Sequence, residues 1–154
     1  MTTRLLALKS AVPPYTLDQA DVSVRAAELF QNQRDIKRLL PVFENTGIER
    51  RYSCVPIEWY AESHGWIDRT NLYVENAVAL LARLTDELLA QAKLKREDLD
   101  AIVVSSTTGI STPSLDALVV ERLSLRRDIR RLPIFGLGCA GGVVGLTRAA
   151  DMLP

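Results

Sequence analysis

"FGLGCAGGVVG", residues 135–145, decides how the rest of the chain is read. Five of the eight glycines in the 154-residue chain fall within it, and they surround Cys139, one of only two cysteines. A glycine in a helix costs roughly 0.5–1 kcal/mol relative to alanine, so a cluster needs a reason, such as close approach of backbone or ligand. The stretch follows the apolar run "RLPIFGL" (131–137) and precedes "VVGLTRAADML" (143–153), whose apolar residues recur at helical spacing. It is therefore a glycine turn between a buried strand and a helix that runs to Pro154.

Two chemistries fit such a turn. In the first, Cys139 is a nucleophile. A helix N-terminus stabilises a thiolate through its free N–H groups and dipole, and Gly138 allows a sharp turn like that of a nucleophile elbow. Gly141 and Gly142 keep the first helical turn bare, so that an acyl thioester can approach the sulfur. The bland counterpart is a small cysteine beside tight helix packing. In the second, Gly136-x-Gly138-x-x-Gly141 is a dinucleotide fingerprint that holds a pyrophosphate on the helix N-terminus. That fingerprint leads to a further strand ending in an acidic residue about 20 positions on. Here Asp151 falls inside the predicted helix and no such strand follows.

Working outward, "DLDAIVVSSTTG" (98–109) is a nearly uniform apolar strand, the pattern of one buried on both faces. Pro113 suits the first turn of a helix over "SLDALVVERLSL" (114–125). Asp68 begins the strongest helix, "RTNLYVENAVALLARLTDELLAQA" (69–92). Nearer the N-terminus, "RLLALKSAV" (4–12) reads as a strand closed by Pro13 and Pro14. Asp18 then caps a helix over "QADVSVRAAELFQ" (19–31). A short helix from Asp35 to Leu40 should break at Pro41. "NTGIERRYSCVP" (45–56) turns at Gly47 and then extends. This order predicts an α/β layered fold with a mostly parallel mixed sheet and helices on both faces. The length suits one domain, residues 1–154. The last helix would feed another strand, so the fold reads as incomplete.

Nineteen basic and nineteen acidic side chains cancel, so no net field draws the chain to nucleic acid or an anionic membrane. The basic cluster "RLSLRRDIRR" (122–131) reads as solvated surface. No apolar run approaches the ~20 residues that span a bilayer. Two cysteines do not make a disulfide framework and the N-terminus does not look like a signal peptide, which points to free thiols in the cytoplasm.

The segments "GIERRYSCVPIEWY", "VVSSTTGISTPSLDA" and "RLPIFGLGCAGGVVGL", in this order and spacing, carry a resemblance. The chain resembles the N-terminal half of a type III polyketide synthase, the chalcone and stilbene synthase family of thiolase-fold condensing enzymes. Starter 3-oxoacyl-ACP synthases of fatty-acid synthesis share the "TGIERR" kind of segment, but Gly138 and the Gly141-Gly142 pair favour the polyketide branch. The resemblance implies an acyltransferase in which Cys139 takes a starter acyl group from acyl-CoA. Decarboxylative condensation with malonyl-CoA would extend it towards a pyrone, resorcinol or chalcone type of product. It implies no metal, nicotinamide or flavin, and a homodimer. Thr107 matches a threonine lining the reaction cavity, and Thr112 stands where many members carry a Met that crosses the dimer interface. Arg38 falls near a basic position that contacts CoA phosphates, or is simply a solvated helix face. Two further basic contact positions are Pro41 and Asn45 here. The His and Asn that the family reaction needs lie in its second half, and His64 matches neither of them. Cys54 matches no catalytic position and reads as a structural thiol. The chain alone is therefore expected to be incompetent for turnover.

Overall fold

A computed structural model describes residues 3–153. They divide into two compact units: Val12–Gly65, and the segment up to Ala11 together with the chain from Trp66 onward.

In the first unit, β1 (Tyr15–Asp18) pairs antiparallel with β2 (Arg50–Ser53), from Tyr15 opposite Ser53 to Asp18 opposite Arg50. Between them lie α1 (Gln19–Leu29), α2 (Ile36–Leu39) and α3 (Val42–Asn45). Pro41 separates α2 from α3, as the missing N–H of proline predicts. Gly47 turns the chain at φ 64° into β2. Asp18 holds the predicted cap position of α1, but its side chain makes no capping hydrogen bond. The polar centre of the unit is its neighbour Gln19, which is buried. Gln19 Nε2 donates to the Phe43 carbonyl at 2.9 Å, and Oε1 accepts from Arg51 Nε at 2.7 Å. Its backbone N–H donates to the Glu49 carbonyl at 2.9 Å. Using both ends of a buried amide avoids the penalty of an unpaired polar group.

In the second unit, β3 (Ala101–Ser106) pairs in parallel with β4 (Arg130–Phe135), in register from Ala101 opposite Arg130 to Ser106 opposite Phe135. The helices are α4 (Trp66–Ala92), α5 (Leu115–Arg122) and α6 (Gly141–Asp151). Successive side chains of a strand point to opposite faces, and that alternation sorts the layers. Ile102 packs with Val78, Leu81 and Leu99 against a core of Ala82, Val119, Leu123, Leu125 and Ile129, which belongs to α4, α5 and the turn beyond. On the other face, α6 lies close to Val103 and Ser105. The pair is thus covered by helices on both sides.

The structure corrects several expectations. The two strand pairs form separate two-stranded sheets. No strand forms over 4–12 among the described residues. Leu5, Leu6 and Leu8 are 74, 69 and 77% exposed, and the segment is tied to α4 by the Lys9–Glu87 ion pair at 3.1 Å. An apolar run is not enough to make a strand when no neighbour takes up its backbone hydrogen bonds. β3 and β4 are half-buried or exposed along their length rather than buried on both faces. Helix α4 starts at Trp66, two residues before Asp68, and α6 ends at Asp151. Pro113 precedes the cap Ser114 instead of opening the first turn of α5.

The basic cluster is only partly a solvated face. Arg131 pairs with the fully buried Asp116 at 3.1 Å, and Arg126 pairs with Asp100 at 3.2 Å and Asp128 at 3.0 Å. The hydrogen bond from Arg126 holds the Asp128 carboxyl below its ordinary value. Val119 has no exposed surface and sits at the centre of the α4–α5 layer. Val119→Ala should lower stability by about 1–3 kcal/mol. A reduced urea midpoint with an unchanged slope would show it.

Candidate active site

Because β3 and β4 are parallel and end in register at Ser106 and Phe135, the loops that follow them leave the sheet at one edge. The carboxyl ends of parallel strands are where α/β proteins gather reactive groups. One loop is "TTGISTP" (107–113); the other carries the glycine run.

Beyond Phe135 the backbone takes left-handed conformations at Gly136 (φ 81°) and Gly138 (φ 53°), which glycine adopts without the steric cost of a β-carbon. A 3₁₀ turn, Gly138–Ala140, then runs straight into α6. Cys139 is in the middle of that turn, exposed and not in a disulfide. It immediately precedes Ala140, the N-cap of α6, so the unpaired N–H groups of the helix's first turn lie next to it in the chain. Gly141 is buried, and a β-carbon there would stand 2.5 Å from Ser105 Oγ. Its bareness lets the start of α6 settle on β3. Around Gly142 nothing lies within 4 Å of where a β-carbon would be.

On the other loop, Thr107 is exposed directly after β3, and Thr112 is exposed ahead of α5, joined to Pro113 by a cis peptide bond. Ser106 links the surroundings. Its Oγ is 2.6 Å from the Tyr73 hydroxyl and accepts the Thr108 N–H at 3.3 Å, while its carbonyl accepts the Gly136 N–H at 3.3 Å. The Tyr73 ring covers Gly109 so closely that a β-carbon there would be 2.7 Å from Cδ1. A cavity of about 240 Å³ lies on the face away from α6, lined by Val104, Ser106, Ile110, Leu115, Asp116 and Phe135 among others.

The remaining residues singled out from the sequence lie in the Val12–Gly65 unit. Arg38 is exposed on α2. His64 is stacked on Trp59 with ring centres 3.7 Å apart, and its Nε2 is 2.9 Å from the Trp59 carbonyl. Cys54 is a half-buried free thiol. Sequence reasoning passed over Tyr73, Ser105 and Ser106. For the serines, two-residue alternation at the end of an apolar strand was a usable signal. For Tyr73 there was none, since helical periodicity does not say what a ring covers.

Residues 18–154 match the family described as FAE1/type III polyketide synthase-like protein. The chain belongs to that family. It is 34% identical over 152 residues to a 1,3,6,8-tetrahydroxynaphthalene synthase of Streptomyces peucetius subsp. caesius, an alignment covering 98% of this chain and 40% of that protein. The crystal structure of 1,3,6,8-tetrahydroxynaphthalene synthase from Streptomyces coelicolor A3(2), a bacterial type III polyketide synthase, is similar with a TM-score of 0.83 and 30% identity. That match covers 92% of this chain and 40% of the other. A type III pentaketide synthase from Neurospora crassa shares the fold, with a TM-score of 0.82 at 21% identity over 92% of this chain and 38% of the other. The chain thus spans about two fifths of the length of the relatives it matches. The layered thiolase-like fold expected from the sequence is theirs. Among the described residues, no helix is long and apolar enough to cross a membrane.

Exposure separates the two thiols. Iodoacetamide should label Cys139 well before Cys54, read by peptide mass mapping over time, and equal rates would contradict the exposed placement. Gly109→Ala should drive the Tyr73 ring off its seat and lower stability by about 1–3 kcal/mol, measured as a shift in thermal midpoint.

Proposed function

We propose that residues 1–154 form the N-terminal thiolase-like domain of a CoA-using condensing enzyme that makes polyketides. The observation that carries this reading is the exposed Cys139 in the 3₁₀ turn leading into α6, at the carboxyl edge of a parallel strand pair, in a chain of this family. The Cys139 thiolate attacks the thioester carbonyl of an acyl-CoA. A new carbon–sulfur bond forms, the old one breaks, and CoA leaves as its thiolate to be protonated. Malonyl-CoA then loses carbon dioxide, and the resulting enolate carbon attacks the acyl group on Cys139. The cysteine thiolate is released and the chain, now on CoA, is two carbons longer. Repetition and ring closure give a pyrone, resorcinol or chalcone type of product.

In this reading Thr107 and Thr112 line the reaction space. Gly138, Gly141 and Gly142 leave room for the thioester, and Arg38 meets a CoA phosphate. The substrates bring the only cofactor-like group, CoA. The enzyme works as a homodimer in the cytoplasm, without nucleic acid or membrane.

A condensation of this kind needs a proton acceptor beside the thiol and donors on the thioester oxygen. The single histidine of the chain, His64, is already bonded and stacked at Trp59. The base is therefore assigned to the part of the enzyme outside these 154 residues, together with the His and Asn that the family resemblance puts on the malonyl thioester. Two outcomes follow. The isolated chain should consume no malonyl-CoA, measured by release of labelled carbon dioxide. In the longer polypeptide that carries this chain, Cys139→Ala should abolish both product and the acyl adduct seen by intact mass. Product formation by the alanine variant would remove Cys139 from the mechanism.

A further inference from the structure

The chemistry assigned to Cys139 and Thr107 requires two separate loops to hold a fixed relation, and neither loop is anchored by its own side chains among the bonds described above. Both converge on Ser106. Its hydroxyl takes the Thr108 N–H and its carbonyl takes the Gly136 N–H, each at 3.3 Å, so one residue touches the loop after β3 and the loop that leads to Cys139. The hydroxyl of Ser106 is itself held at 2.6 Å by Tyr73 of α4, the shortest contact in this group. The same ring lies against Gly109, where a β-carbon would meet Cδ1, Cε1 and Cγ at 2.7, 2.8 and 3.1 Å. Tyr73 therefore restrains the 107–109 turn at two points, through its hydroxyl and through its face. Both Tyr73 and Ser106 are half-buried, where a hydrogen bond competes less with water.

We infer that Tyr73 and Ser106 are a positioning pair for the condensation reaction, fixing the Thr107 turn against the Cys139 turn from the rear of the sheet edge. Tyr73 touches no reacting atom in this role. It acts through Ser106, and the inference rests on the function proposed above. The pair also accounts for the glycine at 109, since any larger residue would unseat the ring that completes the arrangement.

Tyr73→Phe keeps the ring over Gly109 and deletes only the hydroxyl, which makes it the decisive variant, with Ser106→Ala as its partner. Backbone ¹⁵N relaxation on the 154-residue chain reads the positioning directly. The order parameters of Thr107 and Thr108 should fall from about 0.85, typical of rigid backbone, to below about 0.6 in Tyr73→Phe, while that of Gly136, bonded to the Ser106 main-chain carbonyl, should fall less. Those of Ile102 and Val103 should stay unchanged. Ser106→Ala should give the same pattern, and the double variant should add nothing to either single. In the longer polypeptide carrying this chain, Tyr73→Phe should lower kcat by about 3- to 10-fold, the range of one lost hydrogen bond, and leave KM for malonyl-CoA unchanged. Unchanged order parameters in the loops, or an equal fall along β3, would overturn the positioning role. So would a rise in KM with kcat intact. If the unmodified longer polypeptide forms no product at all, the condensation reading fails, while the relaxation result still decides whether Tyr73 holds the loops.

Discussion

The parallel registration of β3 against β4 is the constraint on which the rest depends. It sets Ser106 opposite Phe135, so that two loops distant in sequence begin at one edge. It also gives the pair two usable faces, one packed on α4 and α5 around Val119, the other seated under α6. A two-stranded parallel pair cannot persist uncovered, because parallel ladders are buried by the helices of their crossovers. The apolar layer around Val119 and the close seating of α6 are thus conditions for the geometry at Cys139, though neither touches the sulfur.

Two consecutive serines convert that sheet edge into a site. Ser105 and Ser106 project to opposite faces, as neighbours on a strand must. Ser105 meets the bare Gly141 at the start of α6, and Ser106 holds the turns after both strands. The glycines then separate by physical purpose. Gly136 and Gly138 are needed for left-handed backbone, Gly141 for helix-on-strand contact, and Gly109 for the Tyr73 ring. Gly142 is matched by no close contact or positive φ. The spacing that imitates a dinucleotide fingerprint therefore has another explanation, since turning and packing account for each of its three glycines.

The sequence made the second unit far more legible than the first. The apolar run within 98–109, the glycine break after 135 and the Ala- and Leu-rich stretch 69–92 each carry their own signal, and each holds an element of the expected type, with α4 starting earlier at Trp66. What escaped was whatever depends on a partner remote in sequence. "RLLALKSAV" is an apolar run closed by prolines, yet strand formation is decided by a neighbouring backbone. Asp18 has the chemistry of a cap, but it is the last residue of β1 to pair, opposite Arg50, and the structural role passed to Gln19. At the site, Cys139 could be read from local spacing because a turn and a helix start are local. Tyr73 could not, since its contact with Ser106 joins positions 33 apart in the sequence.

On the reading proposed for Cys139, its placement at a helix start bears on how the catalytic labour is divided. A helix terminus contributes about 0.3–1 kcal/mol to an adjacent charge, less than a factor of ten in any equilibrium. Positioned proton transfer contributes roughly 10²- to 10⁴-fold to a rate, and preorganised oxyanion donors about as much again. On the proposed reading, the turn before α6 can present the sulfur, favour its charge and offer backbone N–H groups to an oxyanion, but the proton transfer needs a base of a kind the edge around Ser106 does not hold. Thr107, Thr112 and the serines are hydroxyls, poor bases near neutral pH, and the one imidazole is engaged at Trp59. This half of the chemistry is geometric. In the proposed reaction it would fix where the thioester sits and leave the movement of protons to groups elsewhere in the enzyme.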